Sequence, residues 1–180
     1  MKIIIQGDRH IGKTTLIRKL IENSDFSVGG FFTKKAAGED CDKTYIHPAS
    51  VKDSERTYSE DNLVGSCRAG ETMSKHPEVF ERLGVKYLKD SFGCDIIIMD
   101  ELGFLENDAL EFKKLVLEIF SGGYNIIAAV KSKENDFIKS VKMCCPEAVY
   151  KITEENRDSL FNILLEKLRM SEENNEGIND

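Results

Sequence analysis

Two glycines, a lysine and a hydroxyl stand at fixed spacing near the start of the chain. Gly7-Asp8-Arg9-His10-Ile11-Gly12-Lys13-Thr14 fits G-x-x-x-x-G-K-[ST]. Such a set suits concentrated negative charge. Backbone N–H groups at a helix N-terminus point at phosphate oxygens with the helix dipole behind them, and glycines let the loop fold tightly enough to present them. Lys13 is expected to reach the outer phosphates of a nucleoside triphosphate, and the Thr14 hydroxyl to ligate Mg²⁺. The candidate nucleotide-binding loop is Gly7, Asp8, Arg9, His10, Ile11, Gly12, Lys13, Thr14 and Thr15. His10 occupies a position where a small residue is common; its imidazole either presses toward the phosphates or points to solvent.

A pair of acids supplies the second half of the chemistry. Asp100-Glu101 follows the apolar run Ile96-Ile97-Ile98-Met99. An acid at the carboxyl end of a parallel strand lies in the ligand crevice, so Asp100 is the candidate for holding Mg²⁺, directly or through a water. Glu101, one residue on, is the candidate catalytic carboxylate, able to orient and deprotonate a water attacking the γ-phosphate. General-base help is worth about 10²–10⁴ in rate, or about 3–5 kcal/mol.

These residues need strands and helices to position them, and the pattern provides both. Residues 2–6 read as a strand, 7–12 as a loop and 13–23 as a helix with Leu16, Leu20 and Ile21 on one face. Residues 27–33 read as a second strand, and 36–66 as hairpin strands or irregular structure. Pro77 opens a helix to about residue 90. The four apolar residues before Asp100 fit a strand buried on both faces. A helix over 108–120, stopped by Gly122-Gly123, precedes strands at 126–130 and 148–152, and Thr153 opens a last helix. This alternation implies an α/β protein with a mostly parallel sheet and right-handed crossovers.

Composition bounds the function. The 180 residues are 41% apolar and 32% charged, which fits one domain with a proper core. Residues 1–170 are assigned to it, and 171–180 to a disordered acidic tail. A net charge of -7 argues against broad nucleic-acid binding, which needs a large basic footprint. No apolar run approaches the ~20 residues that span a bilayer. The opening residues are too soon polar for a signal peptide, and five cysteines without CxxC spacing suit free thiols. A cytoplasmic protein is expected.

The chain resembles the small nucleoside-triphosphatases that include thermophile enzymes and the cancer-related nucleoside-triphosphatase of animals. The resemblance rests on the phosphate loop with Thr15-Leu16, on Gly30-Phe31-Phe32-Thr33, on Met99-Asp100-Glu101-Leu102-Gly103 with Leu105-Glu106, and on Glu155-Asn156-Arg157-Asp158. It implies a three-layer, RecA-like P-loop fold and Mg²⁺-dependent hydrolysis of ATP or GTP to diphosphate and phosphate. It also implies that Asp100 serves the metal, that Glu101 activates water, and that Asn156 and Arg157 lie near the nucleotide base. Glu106 matches a recurring acid, read here as a surface residue before the next helix. The chain departs from the family's pattern at Arg9 and His10, and after Thr33, where Lys34-Lys35-Ala36-Ala37 stand.

Two other readings use the same loop. One is a nucleotide-binding adaptor with little turnover; the other is a small-molecule or nucleotide kinase, which usually carries an Arg-rich lid. Asp100-x-x-Gly103 also fits a G-protein motif, but Ser132-Lys133-Glu134-Asn135 misses the guanine motif at both ends. No arginine finger is identifiable, so slow turnover is expected unless a protein partner or second subunit supplies an Arg. Deleting residues 171–180 is expected to leave the melting temperature within error, because one apolar residue among ten offsets little ordering entropy. A fall of several degrees in a thermal melt would show that the segment docks.

Overall fold

The computed structural model describes residues 1–38, 41–68 and 71–176, without the side chains of 172–176. β1 (Lys2–Gly7) leads through the glycine-bounded loop into α1 (Lys13–Glu22). β2 (Val28–Ala36), β3 (Cys41–Pro48), β4 (Leu63–Arg68) and the short β5 (Ser74–Lys75) follow. α2 (Pro77–Val79) continues through a π-helical stretch, Phe80–Gly84, into α3 (Val85–Asp90). Then β6 (Ile96–Leu102), α4 (Leu110–Ser121), β7 (Ile126–Lys131), α5 (Asp136–Cys144), β8 (Val149–Lys151) and α6 (Arg157–Glu176) alternate.

The strands form one sheet in the order β5-β4-β3-β2-β6-β7-β1-β8. β2, β6, β7, β1 and β8 run parallel, and β3 to β5 extend the β2 edge antiparallel. Ile96 to Met99 are all buried because successive side chains enter opposite cores. One core packs Ile97, Met99 and Ala128 under Phe80, Leu88, Phe112, Val116 and Val141 from α3, its π-helical lead, α4 and α5. The other packs Ile5, Ile98 and Ile127 under Leu16, Ile17, Leu20, Leu160 and Leu164 from α1 and α6. The result is the expected three-layer α/β architecture.

Two glycines set close approaches. Gly30, at φ 90°, brings β2 against β6 so closely that a Cβ there would lie 2.1 Å from the Ile98 carbonyl oxygen. At Gly84 a Cβ would lie 2.7 Å from the Phe112 ring, so the residue that weakens the helix also admits its packing partner. The π-helical stretch interrupts the single helix expected over 77–90.

Other elements differ from the pattern reading. α5 was not resolved by it: the helix is short, and its signal is the Asn135 cap, whose side chain accepts from the Ile138 N–H at 2.8 Å. α6 continues through Glu176, into the segment set apart from residue 171. No glycine or proline intervenes before Gly177, and 177–180 lie outside the described residues. Among the described residues no helix is long and apolar enough to cross a membrane.

His47 on β3 is 2% exposed and packs its ring against Tyr58 at 5.1 Å. Burial first, and then the Arg56 charge, push its pKa from 6.5 to about 4. The unfolded chain therefore takes up a proton that the folded chain refuses, and stability falls as pH drops from 6.5 toward about 4. His47→Gln is expected to flatten that window. Denaturant midpoints for both proteins at about pH 5 and about pH 7.5 check it; equal differences would remove His47 from the pH dependence.

Candidate active site

β7 lies between β1 and β6, so the loop after β1 and the acids ending β6 are two strand spacings apart, about 10 Å. The first turn of α1 closes that gap. Thr14 Oγ1 donates to Asp100 Oδ1 at 2.9 Å and lies 3.1 Å from Oδ2. Asp100 is fully buried, and burial first, then the neighbouring Glu101 charge, push its pKa up to about 7. The Thr14 hydroxyl and the Thr33 backbone N–H oppose that shift. A buried carboxylate whose charge is this poorly compensated calls for a cation.

The loop itself closes around Lys13. Its ammonium is 4% exposed and donates to the carbonyls of Gly7 at 2.9 Å and Asp8 at 2.7 Å. Burial lowers its pKa, while Glu101 and Asp100 act to raise it. Gly12 caps α1 in the left-handed region at φ 104°, and His10 also has positive φ, 64°. Gly7 packs tightly: a Cβ there would lie 2.5 Å from Ile152 Cγ2. Asp8, Arg9 and His10 are exposed, Ile11 is half-buried, and His10 turns toward the solvent-open cavities beside the loop.

Glu101 leaves the strand pattern. Its φ is 63°, and the β6–β7 register shifts between Met99 and Leu102. A left-handed conformation costs a non-glycine residue about 1–2 kcal/mol, and a bulge re-aims the side chain. Here the carboxylate turns toward the loop, lining one cavity with Gly12, Lys13, Thr14 and Thr15. Thr33 Oγ1 donates to Glu101 Oε2 at 3.4 Å.

Glu106 corrects an expectation. It is 1% exposed rather than on the surface, because the loop after β6 folds back: the Gly103 N–H donates to Oε1. Oε2 is buried with no hydrogen-bond partner among the described residues, and burial pushes the pKa up. Gly103 packs against the Lys131 side chain, where a Cβ would lie 2.9 Å from Lys131 Cδ. Lys131 itself stands opposite Gly7 in the β1–β7 ladder. Asn135, the mismatched last position of the stretch weighed against the guanine motif, donates to the Gly103 carbonyl at 2.5 Å and to Asn107 Oδ1 at 2.7 Å.

A cavity of about 540 Å³ adjoins the loop on its α6 side. Ile11, Leu16, Ile152 and Phe161 give it apolar walls; Arg157, Asp158 and Asn162 give it polar ones. Arg157 thus lines a cavity beside the phosphate loop. Asn156 is not among the lining residues. Its Oδ1 accepts from the Thr153 N–H at 2.8 Å and its Nδ2 donates to the Lys151 carbonyl at 2.9 Å, so it builds the turn that presents Arg157. Ile152 and Phe161 escaped the sequence reading, although Phe161, four residues after Arg157, shares its helix face.

Thr14 and Asp100 place hard oxygen donors side by side, 2.9 Å apart. That donor set fits Mg²⁺, which usually takes one or two protein oxygens beside water and phosphate.

The protein named nucleoside-triphosphatase THEP1 from Thermotoga sp. (strain RQ2) is 30% identical over 175 residues, covering 95% of this chain and 97% of that protein. The protein of the same name from Aquifex aeolicus is 25% identical over 177 residues, 93% of this chain and 99% of its own. The crystal structure of THEP1 from Aquifex aeolicus superposes with a TM-score of 0.72 at 22% identity, covering 93% and 99% of the two chains. The solution structure of a human cancer-related nucleoside triphosphatase superposes with a TM-score of 0.63 at 19% identity, covering 94% and 98%. A family model described as NTPase matches residues 2–165, and the chain belongs to that family.

Proposed function

We propose that the protein hydrolyses nucleoside triphosphates to diphosphate and orthophosphate, with Mg²⁺ and at a low rate. The observation that carries this reading is the convergence of Lys13, Thr14, Asp100 and Glu101 within one cradle. The relatives' names support the reaction class.

In this reading the loop amides and Lys13 hold the outer phosphates, and the base lies in the cavity with Arg157 and Phe161. Thr14 and Asp100 hold Mg²⁺, which neutralises phosphate charge when bound. Glu101 holds the attacking water and accepts its proton while the γ-phosphate departs from the β-phosphate oxygen. Hydrolysis is favoured over transfer because the carboxylate lies beside the phosphate position, free to address a water. Low turnover is part of this reading because no arginine finger is identifiable among the described residues; Arg18, one turn along α1 from Thr14, pairs with Asp53 at 2.5 Å. An arginine finger is worth about 10³–10⁵ in rate, so a partner or second subunit that brought one would accelerate the reaction.

Lys13→Ala, or EDTA on the native protein, is expected to weaken triphosphate binding by calorimetry. The Glu101→Gln protein is expected to keep that affinity while phosphate release drops about 10²-fold or more. Equal release by both proteins would exclude Glu101 from the step. Full affinity with no release from ATP, GTP, CTP or UTP would make the protein an adaptor.

Arg157→Ala is expected to keep the fold and weaken triphosphate affinity unequally across the four bases. An unchanged affinity profile would leave Arg157 as a solvated first-turn residue.

A further inference from the structure

Arg18 stands one turn beyond Thr14 on α1, on the same helix face. It lines a cavity of about 290 Å³ with Thr14, Thr33 and Glu101, and a second of about 450 Å³ with Phe32, Lys52 and Arg56. It therefore connects the candidate active site to a second space beyond it. Arg56 follows the 3-10 turn Asp53–Glu55, and its side chain is 2% exposed.

The two arginines are under-satisfied. Both guanidinium carbons lie over the Phe32 ring, at 5.1 Å for Arg18 and 5.5 Å for Arg56. Both share one carboxylate: Arg18 Nη1 meets Asp53 Oδ2 at 2.5 Å, and Arg56 Nη2 meets Oδ1 at 3.2 Å. Both arginines and Lys34 thus bear on the Asp53 carboxylate. His47 stays neutral next to them and adds no charge near neutral pH. Arg18 Nε and Nη2, and Arg56 Nε and Nη1, are buried with no hydrogen-bond partner among the described residues. Buried donors on a charged group are costly when unpaired, and two planar forks of N–H groups match an oxyanion. Asp53 is half exposed and sits at the start of a short turn, so it can yield its place.

We propose that Arg18 and Arg56 form a second oxyanion site, one helical turn from the phosphate loop, which takes a tetrahedral phosphate in place of Asp53. The phosphate has two sources: free orthophosphate, or the terminal phosphoryl group of a nucleoside triphosphate. The site stands on the two arginines and holds whether or not the protein turns a triphosphate over.

The test is a titration with inorganic phosphate, read by calorimetry and by ³¹P line broadening, in the full chain carrying Lys13→Ala so that the loop does not compete. Binding is expected there. Adding Arg18→Gln is expected to weaken it by about tenfold or more, the loss typical of charge-assisted hydrogen bonds. Adding Asp53→Asn instead is expected to tighten it, and a gain of affinity does not arise from a damaged fold. Phosphate binding that vanishes with Lys13→Ala and ignores Arg18→Gln and Asp53→Asn would overturn the proposal, placing the ion in the loop. Absence of phosphate binding to any of these proteins would overturn it equally, unless the second arm supports the terminal phosphoryl source. That arm measures a β,γ-imido triphosphate against the diphosphate, with Lys13 intact. Weaker triphosphate-analogue binding by Arg18→Gln at unchanged diphosphate affinity assigns the site to the terminal phosphoryl group. Unchanged affinity for both, with orthophosphate binding lost, assigns it to the free ion.

Discussion

A carboxylate with no exposed surface governs the centre of this molecule. Asp100 ends a strand covered on both faces, where its charge is costly without a partner. The protein answers with a hydroxyl, a backbone N–H and a lysine, and its acidity stays depressed even so. Those groups arrive from two elements: Lys13 and Thr14 on the first turn of α1, and Thr33 on β2. In the strand order, β2 and β7 flank β6, and β1 lies one strand further out. The rest of the site is arranged around relieving one acid.

Lys13 shows the complementary case. Its ammonium donates to the carbonyls of its own loop, which closes around it. A preorganised cradle of this kind spends little on ordering when a ligand arrives. Glu101 adds strain to the same centre: its positive φ and the slipped β6–β7 register turn a carboxylate away from the ladder and toward the loop.

The phosphate loop, the buried strand before Asp100 and the alternating layers were legible because each has a local signature: glycine spacing, an unbroken apolar run, a switch between periods. Glu106 was not. Nothing local marks an acid for burial; the Gly103 N–H and the fold-back of the chain do so, and both are tertiary. Asn156 was legible as part of a motif but not in its task, since a turn-building amide and a ligand-binding one look alike in sequence. The cavity beside Arg157 brings Ile11 and Ile152 together from distant positions, a juxtaposition that no periodicity encodes. Arg56 lay in a stretch without pattern, and only β3 and β4 bring it over Phe32.

The antiparallel edge has a dynamic consequence. β2 pairs with β6 only from Val28 to Phe31; beyond that, Thr33 to Ala36 pair with β3 alone. Within the sheet, then, the edge hairpins join the parallel strands through the first half of β2, while Ile46 and Val64 tie them to the core beneath. Proteins open in such units below the free energy of global unfolding. Opening here would draw Thr33 away from Asp100 and Glu101 while β1, β7 and the loop kept their ladder. Amide exchange along β3 and β4 would then report on how often the acids lose their support, and the molecule would spend part of its time folded yet disarmed.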